Sequence, residues 1–267
     1  MRHMALNNNE KKAVLLASSS FIVSLLFLKF SGFSVSSIVN FYNHIIKSVI
    51  FSASTNTVSA IGLFLGPFVF VFASLVFLAL AISFLASFGT QKAGNISGVA
   101  GGIAAIVLFP SIAGAFLAVA IFFCSFAPRF SSMYSREMKK WVMFRTGSNT
   151  AGKVLMVFNV LVAAGIFSSV LAYQADYEAS FKNEMRESVK TLALSLPGAS
   201  GMSPEMLNER VEYTTNSLTN SEFFGAYIIW LPVSAAFTAW VVLEFLRNLV
   251  LANIAGLFTR LMKKGRV

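Results

Sequence analysis

Charge is what this chain has least of. Only 12% of its 267 residues are Asp, Glu, Lys or Arg, where an average soluble domain carries about 25%. A water-soluble globular protein is excluded first. Cysteine is nearly absent too: Cys124 stands alone inside an apolar run, so no disulfide framework exists. The whole chain offers two histidines, His3 and His44, and one aspartate, Asp176. Intramembrane aspartyl proteolysis needs two aspartates, serine or zinc proteolysis a histidine within a span, and magnesium-dependent lipid phosphotransfer paired aspartates. Each is excluded by count. The composition predicts no enzyme, no catalytic or metal site and no cofactor.

What is there is apolar. Hydrophobic residues make up 56% of the chain, with 28 Phe and a mean hydropathy of +0.72. They collect in runs at residues 13–30, 58–88, 96–126, 154–173 and 224–246, against a need of about 20 residues to cross a ~30 Å hydrocarbon layer. The fold class predicted is all-α, a polytopic integral membrane protein of about five transmembrane helices. Residues 1–126 form an N-terminal transmembrane region, in which the second and third runs exceed one crossing. Pro110 falls near the middle of the third, where a missing donor and a ring clash kink or break a helix. One simple, kinked crossing is the preferred reading, because nothing around Phe109-Pro110-Ser111 resembles a turn whose polar groups are satisfied. A re-entrant pair is the alternative. No small-x-small cleavage site follows Phe30, so the first run is read as retained.

Two polar-faced segments accompany the runs. Val35, Ile38, Val39, Tyr42, Ile45, Ile46 and Val49 recur at helical spacing opposite Ser36, Asn40, Asn43, His44 and Lys47, which predicts an interfacial helix over 35–50 with a solvated His44. Residues 174–223 are composed like a soluble domain. One stripe (Tyr177, Phe181, Met185, Val189, Leu192, Leu196), a turn at Leu196–Gly201, an N-cap at Ser203 before Pro204 and a second stripe (Leu207, Val211, Thr214, Leu218) predict a helical hairpin.

The net charge of +10 is unevenly placed. The connection 127–153 carries six bases against Glu137, and the tail 247–267 has five bases and no acid, whereas the hairpin has eight acids against four bases. The positive-inside rule puts the connection and the tail in the cytoplasm and the hairpin outside the cell membrane. Five crossings then force the N-terminus outside, in conflict with Arg2, Lys11 and Lys12.

Four local patterns bear on function. Gly147-Ser-Asn-Thr-Ala-Gly152-Lys153 matches the first seven positions of a phosphate loop, but Val154 replaces the magnesium-binding hydroxyl, so it is read as a turn leading into the fourth span. Gly62 and Gly66, and Gly94, Gly98, Gly102 and Gly114, form small-residue faces suited to close helix packing, within the chain or between copies. Glu244 and Arg247 are spaced for an ion pair at the end of the fifth span. Arg129, Arg136, Lys139, Lys140 and Arg145, with Arg260, Lys263 and Lys264, form a basic cytoplasmic face on amphipathic segments. Its expected partner is an anionic lipid bilayer; a nucleic-acid partner has nothing else in the sequence to support it.

Without catalytic residues, the sequence predicts a non-enzymatic membrane subunit, scaffold or pore component, of a multiprotein translocation, secretion or DNA-transfer machine. Its partners would dock through the glycine faces and the 174–223 hairpin. The alternative is a stand-alone small-solute transporter or channel with a polar cavity that includes Asn159.

Overall fold

The computed structural model describes residues 7–51, 57–195 and 203–264. Among the described residues there is no strand. The helices are α1 (Asn8–Phe30), α2 (Val35–Phe51), α3 (Thr57–Phe88), α4 (Gln91–Leu108), α5 (Ile112–Phe123), α6 (Ala127–Glu137), α7 (Val142–Ala172), α8 (Gln174–Ser195), α9 (Pro204–Thr219), α10 (Glu222–Leu246) and α11 (Ala252–Lys264). A 3₁₀ turn, Cys124–Phe126, joins α5 to α6, and a π-helical turn, Arg247–Leu251, joins α10 to α11. Five stretches are long and apolar enough to cross a membrane: Asn8–Ser48, Gly66–Phe88, Ile112–Glu137, Val142–Ala172 and Glu222–Lys264. The protein is an all-α polytopic membrane protein, as its hydropathy predicts. The chain divides into two compact units, one of residues 1–34, 58–166 and 236–267, the other of residues 35–57 and 167–235.

In the first unit, α1 starts with a capping box: the Asn7 side chain accepts from the Glu10 amide while the Glu10 carboxylate accepts from the Asn7 amide. Its buried face, Ala13, Ala17, Phe21 and Leu25, repeats every four residues, one stripe of a helix. Lipid offers no hydrophobic drive for helix association, so small and polar contacts hold the bundle. Ser24 donates to the Ser74 carbonyl at 2.8 Å, Ser83 to that of Ala255 at 3.2 Å and Ser131 to that of Ala86 at 2.7 Å.

The third apolar run departs from its preferred reading. It is not one kinked crossing but two helices, α4 and α5, packed antiparallel on either side of Phe109–Ser111. The glycines set the register: a Cβ at Gly94 would meet the Ser125 carbonyl, one at Gly98 the Ser125 side chain, and one at Gly102 the Ala118 carbonyl. The turn meets the polar requirement that the sequence did not reveal. Ser111 caps α5 by accepting from the Gly114 amide at 3.1 Å, and the Lys29 ammonium donates to the Leu108 carbonyl at the end of α4, 3.1 Å away, while lying over the Phe109 ring. The Leu108 carbonyl and the Gly114 amide at this turn thus have partners within the protein. Gly114 is required there, since any Cβ would run into the Phe109 carbonyl.

A second correction concerns Gly147–Lys153. No turn forms; the segment is helical and lies inside α7, so its amides are engaged in the helix ladder and cannot cradle a phosphate. Its glycine serves packing. Gly147 faces Thr259 of α11, and Gly256 of α11 faces Phe144 of α7, each too close for a side chain.

In the second unit α8 and α9 pair along Phe181, Met185 and Val189 on one arm and Val211, Thr215 and Thr219 on the other. Thr215 occupies the seam where the stripe predicted Thr214, and Leu192 is left exposed. The turn expected at Leu196–Gly201 lies outside the described residues except for its Ser203 cap, which accepts from the Met206 amide. The polar face of α2 is turned to protein. Asn43 is buried and accepts from the Tyr227 hydroxyl at 2.6 Å, Lys47 pairs with Glu184, and Tyr42 donates to the Ser234 carbonyl. His44 is not the solvated group expected: it is half-buried, with a buried Nε2 that has no hydrogen-bond partner among the described residues. Phe181 stacks on Phe224 with ring centroids 5.4 Å apart, closing a small aromatic core.

Candidate functional site

Ionisable side chains inside membrane helices are costly and mark functional sites by default. The first unit holds one such pair. Glu244, near the end of α10, and Arg247, opening the π-helical turn, are 2.6 Å apart, and their side chains are only 15% and 16% exposed. The pair is tied to α7 from both sides. Asn159, itself buried, donates to the second carboxylate oxygen of Glu244 at 3.0 Å, and Arg247 donates to the Gly152 carbonyl at 2.9 Å.

Local sequence explains the arrangement. At Arg247 the ladder widens: the Ala252 amide donates to the Arg247 carbonyl, five residues back, so the following residues rotate relative to a plain α-helix. Beyond the turn, α11 puts Ala255, Gly256 and Thr259 inward and Leu257 and Leu261 outward. A buried pair is favourable only when its remaining donors and acceptors are met. Both carboxylate oxygens and two of the three guanidinium nitrogens have partners; the buried Nε has none among the described residues. Chemically this network is a clamp between α7 and α10. Asn159, which the alternative reading assigns to a polar cavity, belongs to this network.

The sequence placed Glu244 beside Arg247 correctly but read the two as a terminal pair, and missed the link from Asn159, the Gly152 carbonyl and the π-turn. The first had a signal, a lone Asn within an apolar run. The others had none, because a backbone carbonyl and a register shift carry no side-chain signature.

The basic residues of the connection and the tail converge in the first unit. Arg129 and Arg136 lie on α6, Lys139 and Lys140 in the link to α7, Arg145 in the first turn of α7, and Arg260, Lys263 and Lys264 on α11. Arg260 sits over the Trp141 ring at 5.6 Å, joining the two predicted segments directly. Trp141 is the non-glycine residue with a left-handed backbone, φ 55°, at a cost on the order of 1 kcal/mol that a cation–π contact of similar size offsets. Glu10 accepts from Thr90 at 2.7 Å, which brings the starts of α1 and α4, with Lys11, Lys12 and Lys92, to the same end of this unit. The glycines fare unequally. Gly94, Gly98, Gly102 and Gly114 are covered by their own chain, so those faces are closed to a second copy. Gly66 has open space around it, and the surroundings of Gly62 lie outside the described residues.

Among the described residues no group of three or more His, Cys, Asp or Glu side chains is placed to hold a metal ion. No family model, curated protein or solved structure matches the chain.

Proposed function

We propose that this protein is a non-enzymatic, multi-pass subunit of the cell membrane, serving as a scaffold or pore component of a multiprotein translocation machine of the secretion or DNA-transfer kind. One observation carries the reading. The α8–α9 hairpin, rich in acids and composed for water, leaves Leu192, Leu194, Met206 and Tyr213 at least half exposed, Tyr213 at 77%. Large apolar side chains left exposed on an otherwise polar element offer contact area to another protein. Purified in mild detergent, the full chain is expected in a larger complex, and L192S/M206S/Y213S releases the partners while the chain itself stays folded. A stable lone monomer from native membranes overturns the proposal.

The charge map supports an orientation. We propose that α4, paired with α5, crosses beside the five stretches that are long and apolar enough to span, which makes the number of crossings even. The N-terminus then shares the cytoplasm with the basic connection and tail, and the hairpin lies outside at the far end of α7. The conflict that five crossings created at Arg2, Lys11 and Lys12 disappears, and every basic cluster obeys one rule.

The Asn159–Glu244–Arg247 clamp favours a second reading, a stand-alone transporter or channel in which the pair opens during transport. Reconstituted liposomes that pass no solute from broad pools would sink it.

A further inference from the structure

We infer that the face of α6 and the end of α5 form a binding site for one anionic phospholipid of the cytoplasmic leaflet, its phosphate held by Arg129 and Arg136 and its acyl chains lying along Phe123, Phe126, Phe130 and Met133. These residues line an open groove of about 630 Å³ in the first unit, with Ser132 and Glu137 completing it. The spacing places the two arginines on one face of α6. Residues 129 and 136 are seven apart, two helical turns, with Met133 between them on the same face.

Three observations converge on a lipid rather than a soluble anion. The first is depth. Arg129 lies 17 residues after Ile112, about 26 Å along the segment at 1.5 Å per residue, so a turn at one edge of the ~30 Å hydrocarbon sets Arg129 at the headgroup level of the other. The second is chemistry: one wall is aromatic, which a free phosphate does not need and an acyl chain does. The Phe123 and Phe126 rings are 5.1 Å apart, a ready-made apolar floor. The third is charge. Neither arginine forms an ion pair with a described residue, and Ser132 turns its hydroxyl back to the Arg129 carbonyl, so the guanidinium groups are left for an external acceptor. Glu137, the acid in the groove, sits at the Arg136 end, away from Arg129 and the apolar floor, and leaves the site net positive. Arginine suits this role because its planar fork matches a phosphate in two-point contact.

The test uses the full-length protein in detergent and native mass spectrometry with phosphatidylglycerol, phosphatidylcholine or inorganic phosphate. Phosphatidylglycerol binds in preference to phosphatidylcholine, and R129Q/R136Q weakens it about 30-fold, the loss of two basic contacts. K139Q/K140Q, which removes equal charge outside the groove, changes it less than about threefold. The unsubstituted protein gives a readout independent of any variant: excess inorganic phosphate fails to displace the bound lipid. Equal binding of the two lipids, equal losses in the two double variants, or displacement by phosphate each overturns the site.

Discussion

Alanine at Gly94 and alanine at Gly102 are the same change on the same helix, yet they should differ sharply. At Gly94 the new Cβ stands 2.2 Å from the Ser125 carbonyl oxygen, and since real Cβ contacts do not fall below 3.0 Å, α4 and α5 must move apart. The neighbour is backbone in a 3₁₀ turn and has no rotamer to change. At Gly102 the nearest atom is the Ala118 carbonyl oxygen at 3.4 Å, ordinary contact. Forced overpacking costs about 1–3 kcal/mol. The gain in helix propensity from glycine to alanine, roughly 1 kcal/mol, applies to both and cancels in the comparison. G94A should therefore be less stable than G102A by about 1–3 kcal/mol, roughly a 5- to 150-fold difference in the unfolding equilibrium. G98A, meeting a side-chain atom at 2.8 Å, falls between. Reversible unfolding of the purified protein in mixed detergent and SDS micelles measures the order. Equal stabilities, or G102A the worse, would refute the antiparallel register of α4 and α5.

Other outcomes follow from the same contacts. In a background with Cys124 replaced by alanine, N9C and K140C should react with an impermeant thiol reagent from one side of the membrane and E209C from the other; N9C reacting with E209C instead restores an odd number of crossings. R247A, which strands a carboxylate that is only 15% exposed, should cost on the order of 3 kcal/mol in the same unfolding assay, and E244L/R247L should cost less than R247A alone. A double variant worse than the single would mean that the clamp stabilises by more than mutual compensation. S111A removes the cap of α5 and should lower stability by about 1 kcal/mol, with no loss expected if the turn at Pro110 is solvated.

Much of the architecture was legible from the residues. Hydropathy located the apolar stretches, the Ser203 cap and periodic stripes located the hairpin arms, and Phe181, Met185 and Val189 form a seam because 3.6-residue periodicity permits little else. What failed has a common cause. The hairpin at Pro110 depends on Lys29, nearly eighty residues away, capping α4, and on Ser125 accepting the approach of Gly94. The helix at Gly147–Lys153 depends on Thr259 filling the space beside Gly147. Glycine and proline state only that a backbone is free to bend or to be approached; whether it bends is decided by distant partners.

The sequence by itself determined that this is an all-α membrane protein, where its apolar stretches lie and at which ends its charges collect, because transfer of side chains between water and lipid is a local property, additive along the chain. The tertiary structure alone decided that the third apolar run folds back on itself, that Asn159 reaches Glu244, and that Arg129 and Arg136 border an aromatic groove. Those are contacts between segments. Their free energies exist only once the helices are packed.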